Sequence, residues 1–304
     1  MGPAEREWID RFVAHLGLER RMSAHTADAY QRDLTALTEF CRRRNLSRWN
    51  LIDNRQMRTF AASEHGRGLS PRTIQRRLSA VRTFYEFLIR EGHSRSNPAL
   101  EVRAPKTKKR LPATLDADQM GRLLAFRVDN SLSARDKALM ELFYSSGLRL
   151  AELVSLDLEA IDLLDRTVRV LGKGNKTRIV PVGRQAIHAL KQWMGERAAF
   201  IQGPPVAALF VGRTGRRLSC RAVQLRVEAW ARRQGIAMHV HPHMFRHSFA
   251  THLLESSGDL RGVQELLGHA DIGTTQIYTH LDFQHLATVY EATHPRARRR
   301  PATA

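Results

Sequence analysis

The chain has 304 residues, enough for two domains of ordinary size, each with its own core. Hydrophobic residues make up 42% and charged residues 26%, which excludes disorder as the default state of the chain. Lys and Arg number 49 against 30 Asp and Glu, and this net charge of +19 predicts a polyanionic partner. Nucleic acid is the favoured partner, and an anionic membrane surface is the alternative.

No apolar run approaches the roughly 20 residues needed to span a bilayer. The first residues show no signal-peptide pattern, so we expect a cytoplasmic protein. Cys41 and Cys220 are the only cysteines, too few for a disulfide framework or a cysteine zinc site. We expect both thiols to be reduced and structural.

Apolar residues recur at steps of three and four in two segments of the N-terminal third, which predicts two amphipathic helices. The stripes consist of Tyr30, Leu34, Leu37 and Phe40, and of Ile74, Leu78, Val81, Tyr85 and Leu88. Ser70 and Pro71 are typical of the N-cap and first position of the second helix. Its other face carries Arg72, Arg76 and Ser79, which fit either a solvated surface or contacts to phosphates.

Residues 97–112 contain three prolines and a run of basic residues. Proline breaks helices and like charges extend a chain, so residues 105–111 are predicted to be a linker between domains. Lys106, Lys108 and Lys109 in this linker are candidates for contacts along a DNA backbone.

Helical patterns and one hairpin follow the linker. Alternation at 167–171 and 176–182, with Gly172 and Gly174 between them, predicts two antiparallel strands with Lys173 at the turn. Helices are predicted at 116–126, 133–145, 184–200, 219–235 and from residue 242 onward. The predicted fold is mainly α with a small antiparallel β-sheet in the second domain.

The segment 241–280 combines residue types that can break and rejoin a phosphodiester. Pro242 at a helix start places His243 and Arg246 in the first turn, where unsatisfied N–H groups favour an anion. Arginine can bind a phosphate through paired hydrogen bonds, histidine can move a proton, and the phenol of Tyr278 can attack phosphorus.

Histidines in the same segment allow a competing interpretation as a zinc site, formed by His239, His241, His243 and His247. Zinc sites usually include carboxylate or thiolate ligands, and residues 239–247 contain none, so phosphate is favoured over zinc. His247 and His252 are expected to cap a helix or line the core.

Arg149 follows a glycine turn at Gly147 and opens a further helical pattern. Alone, Arg149 and Lys173 would be interpreted as surface residues. In order along the chain, however, the candidate catalytic residues are Arg149, Lys173, His243, Arg246, His269 and Tyr278. This set resembles the active-site signature of the tyrosine recombinases, also called the phage integrase family, and the resemblance covers the whole chain.

The resemblance implies a two-domain, C-shaped clamp around duplex DNA and a role for each residue. Arg149 and Arg246 would hold the non-bridging oxygens of the phosphate, and His243 would add a hydrogen bond or help deprotonate the nucleophile. Lys173 would protonate the leaving 5′-oxygen, His269 would orient the phosphate, and Tyr278 would form a 3′-phosphotyrosyl link. No cofactor is implied, neither a metal ion nor ATP.

The C-terminal sequence, with His280, His285 and His294 after Tyr278, is similar to the XerC branch of the family. This implies a heterotetramer with a XerD-like recombinase on a dif-type DNA site, activation by an FtsK-type translocase, and resolution of chromosome dimers. The implied ranges are an N-terminal SAM-like domain, 1–104, a catalytic domain, 112–297, and a basic tail, 298–304. Met244 and Phe245 depart from the family pattern of a basic residue followed by leucine.

Four other functions stay open on the sequence alone. The chain could be a phage or transposon integrase with another target, or a relaxing enzyme of the type IB topoisomerase class. It could also be a DNA-binding regulator that has lost catalysis, or a zinc-dependent nuclease.

Overall fold

The computed structural model describes residues 1–18, 24–106, 114–172, 177–267 and 294. The chain divides into two compact units, Met1–Arg110 and Leu111–Ala304. Each unit has a hydrophobic core of its own. No helix in the described part of the chain has an apolar stretch long enough to cross a lipid bilayer.

The first unit is helical. Its helices are α1 (Pro3–Leu18), α2 (Ala24–Arg43), α3 (Asn54–Gly66) and α4 (Pro71–Arg90). The predicted start of α4 is confirmed, since the Ser70 hydroxyl accepts a hydrogen bond from the Thr73 backbone N–H at 3.2 Å. Both predicted stripes lie in the core except Tyr30, which is only half-buried. Cys41 is buried among them, whereas Cys220 in the second unit is exposed and therefore not a core residue.

The second unit is mainly helical with one small sheet, as predicted. Its elements are α5 (Ala117–Leu124), α6 (Ser131–Ser146), α7 (Leu150–Ser155), β1 (Ile161–Asp162), β2 (Thr167–Leu171), β3 (Thr177–Pro181), α8 (Arg184–Arg197), α9 (Cys220–Arg233), α10 (Pro242–Ser257) and α11 (Leu260–Leu267). Helix α8 is shorter than predicted because the chain tightens into a 3₁₀ turn at Ala198–Phe200. Helix α5 likewise ends at Leu124, two residues before the predicted end.

The three strands are antiparallel in the order β1-β2-β3. The predicted hairpin is confirmed, with Val168 opposite Val180 and Val170 opposite Arg178. The turn, residues 173–176, lies outside the described residues. Strand β1 has only two residues, which is too short to produce an alternating pattern in the sequence.

Helix α6 lies at the centre of the second unit and is buried on nearly all sides. It contacts α8, α10 and α5, as expected for a helix that is buried around most of its circumference. Its fully buried carboxylate Asp136 accepts hydrogen bonds from Arg226 Nε at 2.6 Å and Trp230 Nε1 at 2.9 Å. These contacts join α6 to α9. Helix α6 ends at Gly147, which leads directly into the candidate site.

Candidate active site

Arg149 is held at the start of α7 by a carboxylate three residues further along. Gly147 ends α6 in the left-handed conformation (φ 54°), and Arg149 becomes the N-cap of α7. Glu152 accepts the Arg149 backbone N–H at 2.8 Å and its Nη1 at 2.8 Å. The Arg149 side chain keeps 42% of its surface exposed. Its orientation is therefore fixed while part of it stays open to a ligand.

Glu152 also binds a second arginine, from the sheet. Arg178 of β3 donates from Nη1 to one Glu152 oxygen at 3.0 Å and from Nη2 to the other at 2.9 Å. Burial alone would raise the pKa of Glu152, but the hydrogen bonds and charge of Arg178, together with the hydrogen bonds of Arg149, lower it to about 2. Glu152 is therefore ionised at neutral pH.

Arg246 of α10 reaches the same turn from the opposite side. Its Nη1 donates to the Gly147 carbonyl and its Nη2 to the Leu267 carbonyl at the end of α11, each at 2.6 Å. Arg246 is 9% exposed. Burial, and then the positive charge of Arg149, lowers its pKa to about 10, so the side chain remains a cation at neutral pH. The two predicted arginines thus converge on the Gly147 turn.

The close approach of α6 and α10 depends on Gly147. A Cβ atom built at Gly147 would lie 2.4 Å from Cδ1 of Phe249, one turn beyond Arg246 on α10. The departure at Met244 and Phe245 falls in the core: both are buried, and the Phe245 ring lies 5.5 Å from the Phe143 ring. The contact of Phe245 with Phe143 helps to hold α10 against α6.

His243 is exposed on α10, in the turn before Arg246. The rings of His239, His241 and His243 follow one another at centroid distances of 6.1 and 6.2 Å. Burial and the neighbouring histidines lower the pKa of His241. Within the described ranges, no group of three or more His, Cys, Asp or Glu residues is placed to hold a metal ion.

The other two histidines of this segment differ from each other. His252 lies in the core, as predicted, and its Nδ1 is 2.8 Å from the Tyr144 hydroxyl. His247 is exposed, so the expectation that it caps a helix or lines the core was wrong for this residue. His247 lies four residues after the exposed His243, so both side chains lie on the solvent-facing side of α10.

Three of the six candidate catalytic residues, Lys173, His269 and Tyr278, lie outside the described residues. Of the candidate DNA-binding residues, Lys108 and Lys109 also lie outside, and Lys106 is exposed in a segment without regular structure. The described part of the candidate active site therefore consists of Arg149, Arg246 and His243.

Arg72 and Arg76 line a surface cavity of about 530 Å³ on the first unit, together with Tyr30, Ser70, Thr73, Gln75 and Ser79. Arg72 is exposed, but Arg76 forms an ion pair with Asp33 of α2, whose side chain is 1% exposed. Burial raises the pKa of Asp33, and Arg76 and Arg77 oppose this shift. Part of the Arg76 charge is thus neutralised within the fold by Asp33. The sequence pattern did not distinguish Arg76 from Arg72.

Sequence reasoning missed Glu152 and Arg178. The spacing of Arg149 and Glu152 is that of a capping box, in which the third helical residue bonds the N-cap N–H, so Glu152 could have been found. Arg178 gave only a weak signal, as an inward-facing charged residue in an alternating strand.

Comparisons with known proteins agree along most of the chain. Residues 113–285 match the Phage integrase family, and residues 9–92 match the Phage integrase, N-terminal SAM-like domain. Tyrosine recombinase XerC of Pseudomonas aeruginosa (strain LESB58) is 56% identical over 293 residues, 96% of each chain. Tyrosine recombinase XerC of Xanthomonas campestris pv. campestris (strain B100) is 54% identical over 295 residues, 97% of this chain and 90% of that one.

Among solved structures, the XerH site-specific recombinase bound to difH substrate, in a pre-cleavage complex, has a TM-score of 0.71. It is 23% identical and covers 94% of this chain and 95% of that one, a likeness that concerns the fold. The family match and the relatives above half identity lead to one conclusion. The chain belongs to the phage integrase family, and within it resembles the XerC tyrosine recombinases.

Proposed function

We propose that the chain carries out XerC-like site-specific recombination, cutting and rejoining duplex DNA through a 3′-phosphotyrosyl intermediate. The observation that carries this proposal is that Arg149 begins α7 two residues after Gly147 and Arg246 binds the Gly147 carbonyl, which brings the two positive charges close to each other. Two guanidinium groups that meet at one turn form an anion site of the kind that a phosphodiester in its transition state requires.

In the proposed reaction the Tyr278 oxygen attacks the scissile phosphorus and loses its proton, with help from His243. The bond from phosphorus to the 5′-oxygen breaks, and Lys173 donates a proton to that oxygen. Arg149 and Arg246 balance the charge on the non-bridging oxygens, and His269 orients the phosphate. In the rejoining step a 5′-hydroxyl attacks the phosphotyrosine, and tyrosine is the leaving group.

The chemistry needs neither a metal ion nor ATP in this proposal. The two arginines supply the positive charge that a metal would supply elsewhere, and the phosphotyrosyl bond retains the energy of the broken phosphodiester. Cleavage should therefore persist in excess EDTA and without nucleotide, and loss of cleavage in EDTA would contradict this point.

The burial of two other tyrosines, Tyr85 and Tyr144, supports Tyr278 as the proposed nucleophile. Tyr85 is buried and its hydroxyl donates to the Trp49 carbonyl at 2.9 Å, and Tyr144 is buried with its hydroxyl at His252. Neither hydroxyl can reach a bound duplex without unfolding the core. This supports a nucleophile elsewhere in the chain.

We further propose that the DNA target is a dif-type site and that two copies act with two copies of a XerD-like recombinase. An FtsK-type translocase would activate this assembly, which would resolve chromosome dimers in the cytoplasm, at the nucleoid. The proposed ranges are 1–104 for the SAM-like DNA-binding domain, 105–111 for the linker and 112–297 for the catalytic domain, followed by the tail at 298–304. The positive charge of the chain and its XerC relatives support the choice.

The test is a suicide dif-like duplex, nicked so that the cleaved strand cannot be rejoined. The unchanged chain, with a XerD-like protein, should form a covalent protein–DNA adduct, and Tyr278→Phe should form none while its affinity for the duplex stays within about twofold. Tyr144→Phe is unsuitable as a control because its hydroxyl is in the core, so Tyr290→Phe serves instead. An adduct that survives in Tyr278→Phe would disprove the assignment of the nucleophile.

A further inference from the structure

Arg178 is a buried cation that the proposed reaction does not use. Its side chain is 10% exposed, and both terminal nitrogens donate to Glu152. Its Nε is buried without a hydrogen-bond partner among the residues that the structure describes. A buried guanidinium with an unsatisfied N–H is costly, so a purely structural role would leave part of that cost uncompensated.

Glu152 is one carboxylate that interacts with several guanidinium groups. Three guanidinium groups, those of Arg149, Arg178 and Arg246, lie close enough to influence one another electrostatically. Glu152 accepts hydrogen bonds from Arg149 and Arg178, and its charge also acts on Arg246. A phosphate bound here would bring further negative charge to these guanidinium groups.

The geometry around Glu152 determines how Arg149 is presented. Each Glu152 oxygen accepts one bond from Arg149 and one from Arg178. Without Arg178, Glu152 would lose two of the hydrogen bonds that it accepts, and its charge would neutralise the Arg149 guanidinium more strongly. Strand β3 would also lose its link to α7, and Lys173 lies between β2 and β3 in the sequence.

We propose that Arg178 is a positioning residue for cleavage: it shares Glu152 with Arg149, leaves the Arg149 charge available to the scissile phosphate, and ties the β2–β3 hairpin to the start of α7. This inference rests on the proposed function. It predicts that loss of Arg178 affects the charged transition state more than it affects DNA binding.

The experiment compares two suicide duplexes, one with the normal scissile phosphate and one with a methylphosphonate, which lacks one negative charge at that position. The adduct-forming rate of saturated enzyme is measured for the unchanged chain and for Arg178→Gln. We expect Arg178→Gln to be about tenfold slower on the phosphate and within about twofold of the unchanged rate on the methylphosphonate. Because the comparison is made within one variant, partial unfolding would lower both rates equally.

Arg169→Gln is the matched control. Arg169 lies on β2 of the same hairpin but is exposed, and its Nη2 donates to the Glu159 carbonyl at 3.2 Å. The substitution removes the same charge, and both of its rates should stay unchanged. Arg178→Lys keeps the charge but loses the two-pronged contact, so it should remain slow on the phosphate.

Three results would overturn the inference alone: equal slowing of Arg178→Gln on both duplexes, an unchanged rate on the phosphate, or full recovery in Arg178→Lys. Absence of any adduct from the unchanged chain would overturn the proposed function and this inference with it. The two failures are therefore distinguishable.

Discussion

At the scale of single residues, Gly147 meets two independent requirements. Its backbone has a φ of 54°, which costs a residue with a side chain about 1 kcal/mol. Its missing Cβ also leaves room for the Phe249 ring. The two arginines of the candidate site depend on this residue, since Arg149 lies two positions further on and Arg246 binds the Gly147 carbonyl.

Gly147→Ala should lower the free energy of unfolding by about 2 to 4 kcal/mol, which combines the backbone cost with overpacking against Phe249. Gly258→Ala is the control, because Gly258 ends α10 at a φ of 67° and no atom of the described residues lies within 4 Å of the place that its new methyl group would take. The control should cost about 1 kcal/mol. Urea unfolding measures both, and equal costs would refute the contact with Phe249.

The sequence predicts one of these two requirements. A glycine after a helical stripe predicts the end of α6, and the position of Arg149 at the next helix start follows from it. Phe249 lies in α10, far along the chain, and no local pattern connects it to Gly147. The role of a single residue can thus be predicted from the sequence where its cause is local. The contact between Gly147 and Phe249, which lets α10 bring Arg246 close to Arg149, could not be predicted in this way.

At the scale of elements, Glu152 connects a helix to a strand. It belongs to α7, and the two-pronged contact from Arg178 binds it to β3. Periodicity predicted β2 and helices such as α4 because their residues alternate between core and solvent. The two-residue strand β1 was too short to be predicted from periodicity. The ion pairs were not predictable either, because a charged residue in a sequence does not show which partner it contacts.

The lowered pKa of Glu152 makes this connection sensitive to pH. Its folded value, about 2, is below the ordinary 4.5, so the carboxylate stabilises the fold above about pH 4.5. This contribution is lost as the pH falls toward 2. Glu152→Gln should lower the free energy of unfolding by about 3 kcal/mol at pH 7, and the difference from the unchanged chain should shrink steadily between about pH 4.5 and about pH 2.

Glu228→Gln provides the comparison for that measurement. Glu228 forms an exposed pair with Arg232 four residues later on α9. Such a pair contributes well under about 1 kcal/mol, so the variant should follow the unchanged chain at every pH. A Glu152→Gln difference that stays constant with pH would mean that the ionised carboxylate does not hold α7 to β3.

At the scale of the whole molecule, the net charge of +19 predicted the class of partner before any motif was considered. The charge alone could not say which arginines are available to that partner. Arg72 is exposed on the cavity of the first unit, and Arg76 beside it is paired with Asp33. Arg72 and Arg76 differ in availability because Asp33 is buried next to Arg76. The position of Asp33 depends on how α2 packs against α4, and the spacing of residues along α4 does not reveal it.

Salt dependence of DNA binding should distinguish these arginines. Each phosphate contact adds about 0.9 to the slope of log affinity against log salt concentration. Arg72→Ala should reduce that slope by about 0.9, and Arg76→Ala by clearly less, because part of its charge is already neutralised. Arg11→Ala is the control, since Arg11 lies over the Trp8 ring and pairs with Glu91. Equal effects of all three would contradict the proposed contact.

Arg246 has a consequence for how inactive relatives of this chain are recognised. Its guanidinium donates hydrogen bonds to the Gly147 carbonyl after α6 and to the Leu267 carbonyl at the end of α11. The fold therefore depends on Arg246 whether or not any DNA is cut. A descendant that lost recombination and kept only DNA binding would still be selected to retain Arg246. Its presence in a sequence is therefore weak evidence of activity, and a cleavage defect in Arg246→Ala would mix a lost phosphate contact with a loosened core.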